Sequence, residues 1–326
     1  MNTVHVNSLH TFQMDIVHGC QLRCVGCPNS TIMDKVRRIS LDDFSACLAN
    51  VDVAHVKYFR LFNFGEPLLH TDLTGIFKVI AAQPWTAEET EISTNAQWCD
   101  WEDLESALAL GVLDRLVVSC DGDGTPQQYE RLRPPGKWHK LIEFLERAAD
   151  IQRRVAPDLN LVTRTIVEDS AAMQRWNDIL LPRGWTPEFR DWKVLPEAQE
   201  NRTGRPLSVP QDICTFVAPS DQFQEQYHGG LYQLYVDAQG TVIPCCAHPS
   251  AADLGNLKQS RVSELMVNEA RRAFVQRLAT DRKNVPVCNE CEFGPPAAPG
   301  KSFGQFSQEH DTSGGNDIVR TVTVSD

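Results

Sequence analysis

The sequence predicts an α/β fold, a partial (β/α)6 TIM-like barrel followed by a small C-terminal hairpin-plus-helix metal-cluster domain. Three observations carry that expectation. Short apolar runs alternate with longer amphipathic stretches as far as residue 194, the pattern of parallel βαβ units joined by right-handed crossovers. The runs number six, short of the eight strands that close a full barrel. Past residue 196 the rhythm stops, and cysteines and turn residues take over. The expected division is a barrel over 1–196, a metal-cluster domain over 197–294 and a flexible tail over 295–326, rich in proline, glycine and serine.

The first strand is expected over Phe12 to Val17, apolar throughout as a buried strand would be, and it stops at His18-Gly19. Ser40 is placed to cap a helix that has Asp42 and Asp43 in its first turn and runs to about Ala49. Strands then alternate with helices: Tyr58 to Phe64 and Asp72 to Ala82, Glu91 to Ser93 and Trp101 to Leu110, Leu116 to Ser119 and Lys137 to Arg154, Asn160 to Val167 and Ala171 to Leu180. A last strand is expected over Glu188 to Val194. In the second domain, Leu231 to Val236 and Thr241 to Ile243 flank Asp237-Ala238-Gln239-Gly240, a hairpin signal, and a helix is expected over Val262 to Leu278.

A net charge of -12 and a pI near 5.2 argue against nucleic acid as the main partner, since gripping phosphates rests on clustered Lys and Arg. No basic leader and no apolar run of roughly 18 residues is present, so membrane insertion is not expected and a cytoplasmic location is. Eleven cysteines in such a chain point to metal binding rather than disulfides. Cys47, Cys99 and Cys120 stand apart from the others and read as small buried hydrophobes. Cys20, Cys24 and Cys27 form one group, and Cys214, Cys245, Cys246, Cys288 and Cys291 another.

The first group has the spacing CxxxCxxC, in Cys20-Gln21-Leu22-Arg23-Cys24-Val25-Gly26-Cys27, directly after the first strand. Three close thiolates can hold three irons of a [4Fe-4S] cluster and leave the fourth open to an outside ligand. Zinc would want a fourth protein ligand nearby, and the next cysteine, Cys47, falls in a predicted helix. Ligands of parallel α/β folds gather at the carboxyl ends of strands. Polar residues fall there: Asn63-Phe64-Gly65-Glu66-Pro67, Thr94-Asn95-Ala96 and Ser119-Cys120-Asp121-Gly122.

With these motifs in this order, the chain resembles the radical S-adenosylmethionine enzymes. The resemblance implies that S-adenosylmethionine chelates the open iron and is reductively cleaved to methionine and a 5'-deoxyadenosyl radical, which takes a hydrogen atom from substrate. It also implies a flavodoxin- or ferredoxin-type electron donor. Gly65 and Glu66 resemble the motif that accepts hydrogen bonds from the methionyl amino group, Thr94-Asn95 the Thr-Asn-Gly turn, and Ser119 a serine that contacts ribose or carboxylate. Arg133 sits where relatives place an arginine against the methionyl carboxylate, with Arg131 as the competing choice. Two positions depart from the pattern: Phe64 stands for a glycine, and Gly26 for the aromatic residue near adenine.

Cys214, Cys245, Cys288 and Cys291 supply four thiolates, with Cys246 as the alternative to Cys245, and their chemistry alone allows zinc or an iron–sulfur cluster. Gly240 to Cys245 and Leu254-Gly255-Asn256-Leu257 resemble the SPASM/twitch extension, which implies a second, auxiliary [4Fe-4S] cluster in the shorter twitch form. Such relatives resemble dehydrogenases of small polar molecules, so oxidation of a sugar or aminocyclitol is the expected reaction. A peptide-modifying epimerase or thioether maturase is the alternative, set second because only 19 residues precede Cys20. A non-catalytic iron–sulfur or zinc sensor is the third reading. His18, His70, His228 and His248 read as structural, with His248 the best placed of them for a supporting or proton-transfer role.

Overall fold

The computed structural model describes residues 6–32, 35–203, 205–210, 213, 214, 216, 217 and 232–294. The predicted tail over 295–326 and His228 lie outside them. Six parallel strands form the barrel wall: β1 (Ser8–Met14), β4 (His55–Arg60), β5 (Thr86–Thr94), β6 (Arg115–Asp121), β7 (Asn160–Ile166) and β8 (Thr186–Arg190), neighbours in that order. The two short strands β2 (Val17–His18) and β3 (Arg37–Arg38) pair with each other beyond the end of β1. The helices are α1 (Asn29–Ile32), α2 (Leu41–Ala49), α3 (Leu73–Ala81), α4 (Trp101–Leu108), α5 (Pro126–Leu132), α6 (Trp138–Val155) and α7 (Ser170–Leu180). Side-chain caps start several of them: Ser40 accepts from the Asp43 amide as expected, and Asp72, expected as the first helical residue, instead caps α3 by accepting from the Gly75 amide.

One face of the sheet carries the hydrophobic core. Phe12 of β1 stacks on Phe59 of β4 at 4.8 Å between ring centres, and Trp85 meets both edge-on. Phe44, Phe77 and Phe144 from α2, α3 and α6 are buried in the same core. Cys47 and Cys120 are buried there too, and Cys99 packs against it. The strands also carry a charged cluster. Glu91 is completely buried, and Arg164 clamps its two oxygens at 2.6 and 2.7 Å. Arg115 reaches Glu188 at 2.5 Å and Glu89 at 3.4 Å. This explains why β5 is longer than its apolar residues foretell. Its acids, unfavourable in an ordinary strand, are matched by arginines of β6 and β7.

The C-terminal hairpin, β9 (Gln233–Val236) and β10 (Val242–Ile243), does not stand apart. β9 pairs in parallel with β1, Thr11 opposite Gln233 through Met14 opposite Val236, and extends the sheet to eight strands. The first barrel strand thereby loses its open edge. The helix expected over Val262 to Leu278 is two, α8 (Val262–Leu265) and α9 (Glu269–Asp281). Asn268 breaks them: its side chain accepts from the Arg271 amide and donates to the Leu254 carbonyl at 2.7 Å. Among the described residues no helix is long and apolar enough to cross a membrane.

Candidate active site

The site grows from the loop after β1. Asp15, buried at its start, accepts the Phe64 amide on both oxygens at 3.0 and 3.1 Å, which joins the end of β1 to the end of β4. Burial pushes its carboxyl up to about 7. Gly19 then bridges to Gly65, and the Glu66 amide donates to the Gly19 carbonyl at 3.0 Å. A Cβ on Gly65 would overlap the Val17 carbonyl, so only glycine lets the two segments pass. The cysteine loop is held on its other side by the end of α5, with Arg23 N–H donating to the Pro134 carbonyl at 2.6 Å and Val25 N–H to that of Leu132 at 3.0 Å.

Cys20, Cys24, Cys27, Gly65, Glu66, Thr94, Asn95, Ser119 and Arg133, all picked out from sequence, line one cavity of about 360 Å³ at the carboxyl ends of the strands. Glu66 organises its floor. One oxygen accepts the Thr94 hydroxyl at 2.6 Å and the Leu68 amide at 3.0 Å, and the other accepts the Asn95 amide at 2.6 Å. Burial pushes this carboxyl up to about 7 against those donors. Asn95 in turn donates to the Cys20 sulfur at 3.2 Å. Ala96, at the position of the glycine in the Thr-Asn-Gly turn, takes a left-handed φ of 59°.

Arg133 is buried and donates to Asp121 at 2.7 Å. Burial works against its charge, but Asp121 beside it, and Cys24 whenever it is ionised, hold the guanidinium firmly protonated. Arg131, the competing choice, is at the surface and faces Glu200 at 3.6 Å. Burial pushes the Cys20 and Cys27 thiols up to about 12 and raises Cys24 as well, while Arg133 draws all three down. Loading iron therefore displaces protons from these thiols. A cradle of three thiols, closed by glycine contacts and faced by a fixed cation, fits a cluster with an open iron.

The C-terminal cysteines also gather. Burial raises the thiols of Cys245 and Cys288, and the proximity of Cys214 and Cys291 raises both further, with Cys246 also bearing on Cys245. Arg282 wraps the Cys288–Cys291 turn, donating to the carbonyls of Cys291 at 2.9 Å and Cys288 at 3.2 Å. Cys245 packs with Cys291 and Ala247, whereas Cys246 packs against Phe64, Tyr235 and Ile243. Among the described residues no three His, Cys, Asp or Glu side chains are placed to share one metal ion. His70 is structural, bonded to the Ile39 carbonyl at 2.9 Å. His248 accepts the Ser250 amide and lies 3.6 Å from Glu197.

Several cavity residues carry no sequence signal of their own: Asn29, Phe62, Arg164, Ile166, Arg190 and Trp192. Phe64 and Gly26, the two departures, acquire reasons. Phe64 is buried among Tyr235, Ile243, Phe216 and Ile32, where it joins the barrel to the C-terminal hairpin. Gly26 lies against Trp192, whose six-membered ring a Cβ would overlap.

This combination defines an iron–sulfur enzyme of the kind whose cluster offers an open iron to a small cofactor. A model of the radical SAM superfamily matches residues 14–167, and a model of SPASM, an iron–sulfur cluster-binding domain, matches residues 228–292. The chain belongs to the radical SAM superfamily and carries a SPASM-type domain. A [4Fe-4S] cluster, S-adenosylmethionine and an auxiliary iron–sulfur cluster go with that membership. No curated protein matches the chain. Among solved structures it is similar to native anSMEcpe with bound AdoMet and Cp18Cys peptide, with a TM-score of 0.56 at 15% identity over 87% of this chain and 88% of that one. A hexahistidine-tagged anSMEcpe with bound AdoMet gives 0.57 at 14% identity, over the same shares of both chains. The likeness at this identity is one of fold.

Proposed function

We propose that the protein is a radical SAM oxidoreductase that takes a hydrogen atom from a residue of a peptide. The convergence of nine separately predicted residues on one cavity carries the reading. Peptide takes precedence over sugar or aminocyclitol because two of the similar structures hold peptides, Cp18Cys and Kp18Cys. When loaded and reduced, the cluster would supply the electron that cleaves S-adenosylmethionine to methionine and the 5'-deoxyadenosyl radical.

The protein's own residues would place the reactants. Cys20, Cys24 and Cys27 would hold the cluster. Arg133, fixed by Asp121, would meet the methionyl carboxylate with its remaining N–H groups. Glu66 gives most of its lone pairs to Thr94, Asn95 and Leu68, so its main part would be to hold the turn that carries Asn95 beside Cys20. The Gly65-Glu66 segment keeps acceptors for the methionyl ammonium, and Ser119 offers a hydroxyl to the ribose or carboxylate. Phe62, Asn63, Arg164 and Arg190 line the rest of the cavity and would meet the substrate. Cys214, Cys245, Cys288 and Cys291 would hold one auxiliary [4Fe-4S] cluster, able to accept the second electron of an oxidation.

The test is anaerobic reconstitution, reduction by dithionite, and 5'-deoxyadenosine measured with a panel of Cys- and Ser-containing peptides or with polyols. Carbon-deuterated peptide is expected to pass deuterium into 5'-deoxyadenosine. Transfer from a polyol instead would overturn the peptide reading.

A further inference from the structure

Trp192 stands two residues beyond β8, yet it belongs to the cysteine loop. Its ring fills the space over Gly26, the residue just before Cys27, and it lines the same cavity as the three thiols. The chain that follows is a strap across this loop. The Thr31 hydroxyl donates to the Glu197 carbonyl at 2.9 Å, the Glu200 amide donates to the Val25 carbonyl at 3.3 Å, and Glu200 faces Arg131. Arg202 comes back over the Trp192 ring, 4.5 Å from its centre, and is itself paired with Glu168. Arg202 covers one face of the indole and the outer edge of its six-membered ring meets Gly26, so its orientation is set in advance. Its Nε1–H is buried without a partner. An aromatic plane with an unused donor, beside a cavity that takes an adenosyl cofactor, has an evident ligand: a purine supplies both a stacking face and ring-nitrogen acceptors.

We infer that Trp192 is the adenine-binding residue of this site, delivered by the strap to the place where the cysteine loop itself carries only Gly26. The inference rests on the reading of the cavity as the S-adenosylmethionine site. Glycine at 26 is then a requirement of the arrangement, because a side chain there would expel the indole.

Binding of S-adenosylmethionine, 5'-deoxyadenosine and methionine to the anaerobically reconstituted protein tests this without turnover. Trp192→Ala is expected to weaken S-adenosylmethionine and 5'-deoxyadenosine about 10- to 100-fold, the usual loss when a base is deprived of its aromatic partner. Methionine affinity and iron content stay at the wild-type level, and Trp192→Phe stays within a few-fold. Gly26→Phe alone loses adenosyl affinity, and Gly26→Phe combined with Trp192→Gly regains it. Unchanged 5'-deoxyadenosine affinity in Trp192→Ala overturns the inference. So does equal loss of methionine and 5'-deoxyadenosine, which would mean that the indole only packs the loop. A wild-type protein that holds its cluster but binds no S-adenosylmethionine would instead overturn the underlying reading of the cavity.

Discussion

Arg133 donates to Asp121 at 2.7 Å, and both side chains are buried beneath the cysteine loop. Removing the acid leaves an uncompensated guanidinium in a site already crowded with protonated thiols. Asp121→Ala is expected to destabilise the protein by about 3–5 kcal/mol, the cost of breaking a buried pair from one side. Chemical denaturation of the metal-free protein measures it. The exposed pair Lys137–Glu130, at 3.1 Å, is the control, and Glu130→Ala should cost about 1 kcal/mol or less.

Gly65 admits no side chain because the Val17 carbonyl occupies the position of its Cβ. Backbone cannot swing aside as a flexible side chain can, so Gly65→Ala must part the β1 and β4 loops. An overpacking loss of about 2–3 kcal/mol is expected, together with reduced iron at the three-cysteine site. Gly111, with a φ of 64° and nothing within 4 Å, is the contrasting case, where only backbone conformation opposes a side chain. Gly111→Ala should cost about 1 kcal/mol and leave iron content unchanged.

The barrel and its mouth are legible in the sequence because their signals are local. Strand and helix periodicity, the CxxxCxxC spacing and the polar residues at strand ends each sit within a few positions of one another. What escapes is long-range. Trp192 meets Gly26 across most of the barrel, and neither residue announces the other. β9 pairs with β1 through backbone groups, for which no side-chain pattern speaks. The N-terminal half of β5 is hidden for a different reason. Glu88 and Glu89 argue against a strand until His55 of β4 and Arg115 of β6 on the neighbouring strands are in place. Phe64 looks from sequence like a departure within a turn, whereas its burial against Tyr235 and Ile243 makes it part of a contact between the barrel and the hairpin.

That contact makes Phe64→Gly informative, since it restores the residue usual in the family motif while emptying a buried site. The lost ring and the cavity left behind should cost about 3–5 kcal/mol. Backbone freedom at the new glycine adds about 0.5–1 kcal/mol. Stability to denaturant reads the loss. Phe64→Leu, which keeps most of the volume, should recover more than half of it.

Cys245 and Cys246 are adjacent in sequence but have different neighbours. Burial raises both thiols; beyond that, Cys245 feels Cys214, Cys246 and Cys291, while Cys246 feels Arg60 and the Tyr235 hydroxyl first and Cys214 last. If Cys214, Cys245, Cys288 and Cys291 hold the auxiliary cluster, the two positions respond differently to the same substitution. Wild-type protein is expected to carry about eight irons with two cubanes. Cys246→Ala should keep that number, because the thiol it removes packs against Phe64, Tyr235 and Ile243, whereas Cys245 packs with Cys291. Cys245→Ala should fall towards about four, the complement of the remaining three-cysteine cluster. Binding of S-adenosylmethionine, which on the proposed reading depends on Cys20, Cys24 and Cys27, should survive both changes. Iron counting with parallel zinc analysis separates the outcomes: four irons and one zinc in wild-type protein would assign the C-terminal thiols to a structural ion, and equal iron loss in both variants would place Cys246 among the ligands.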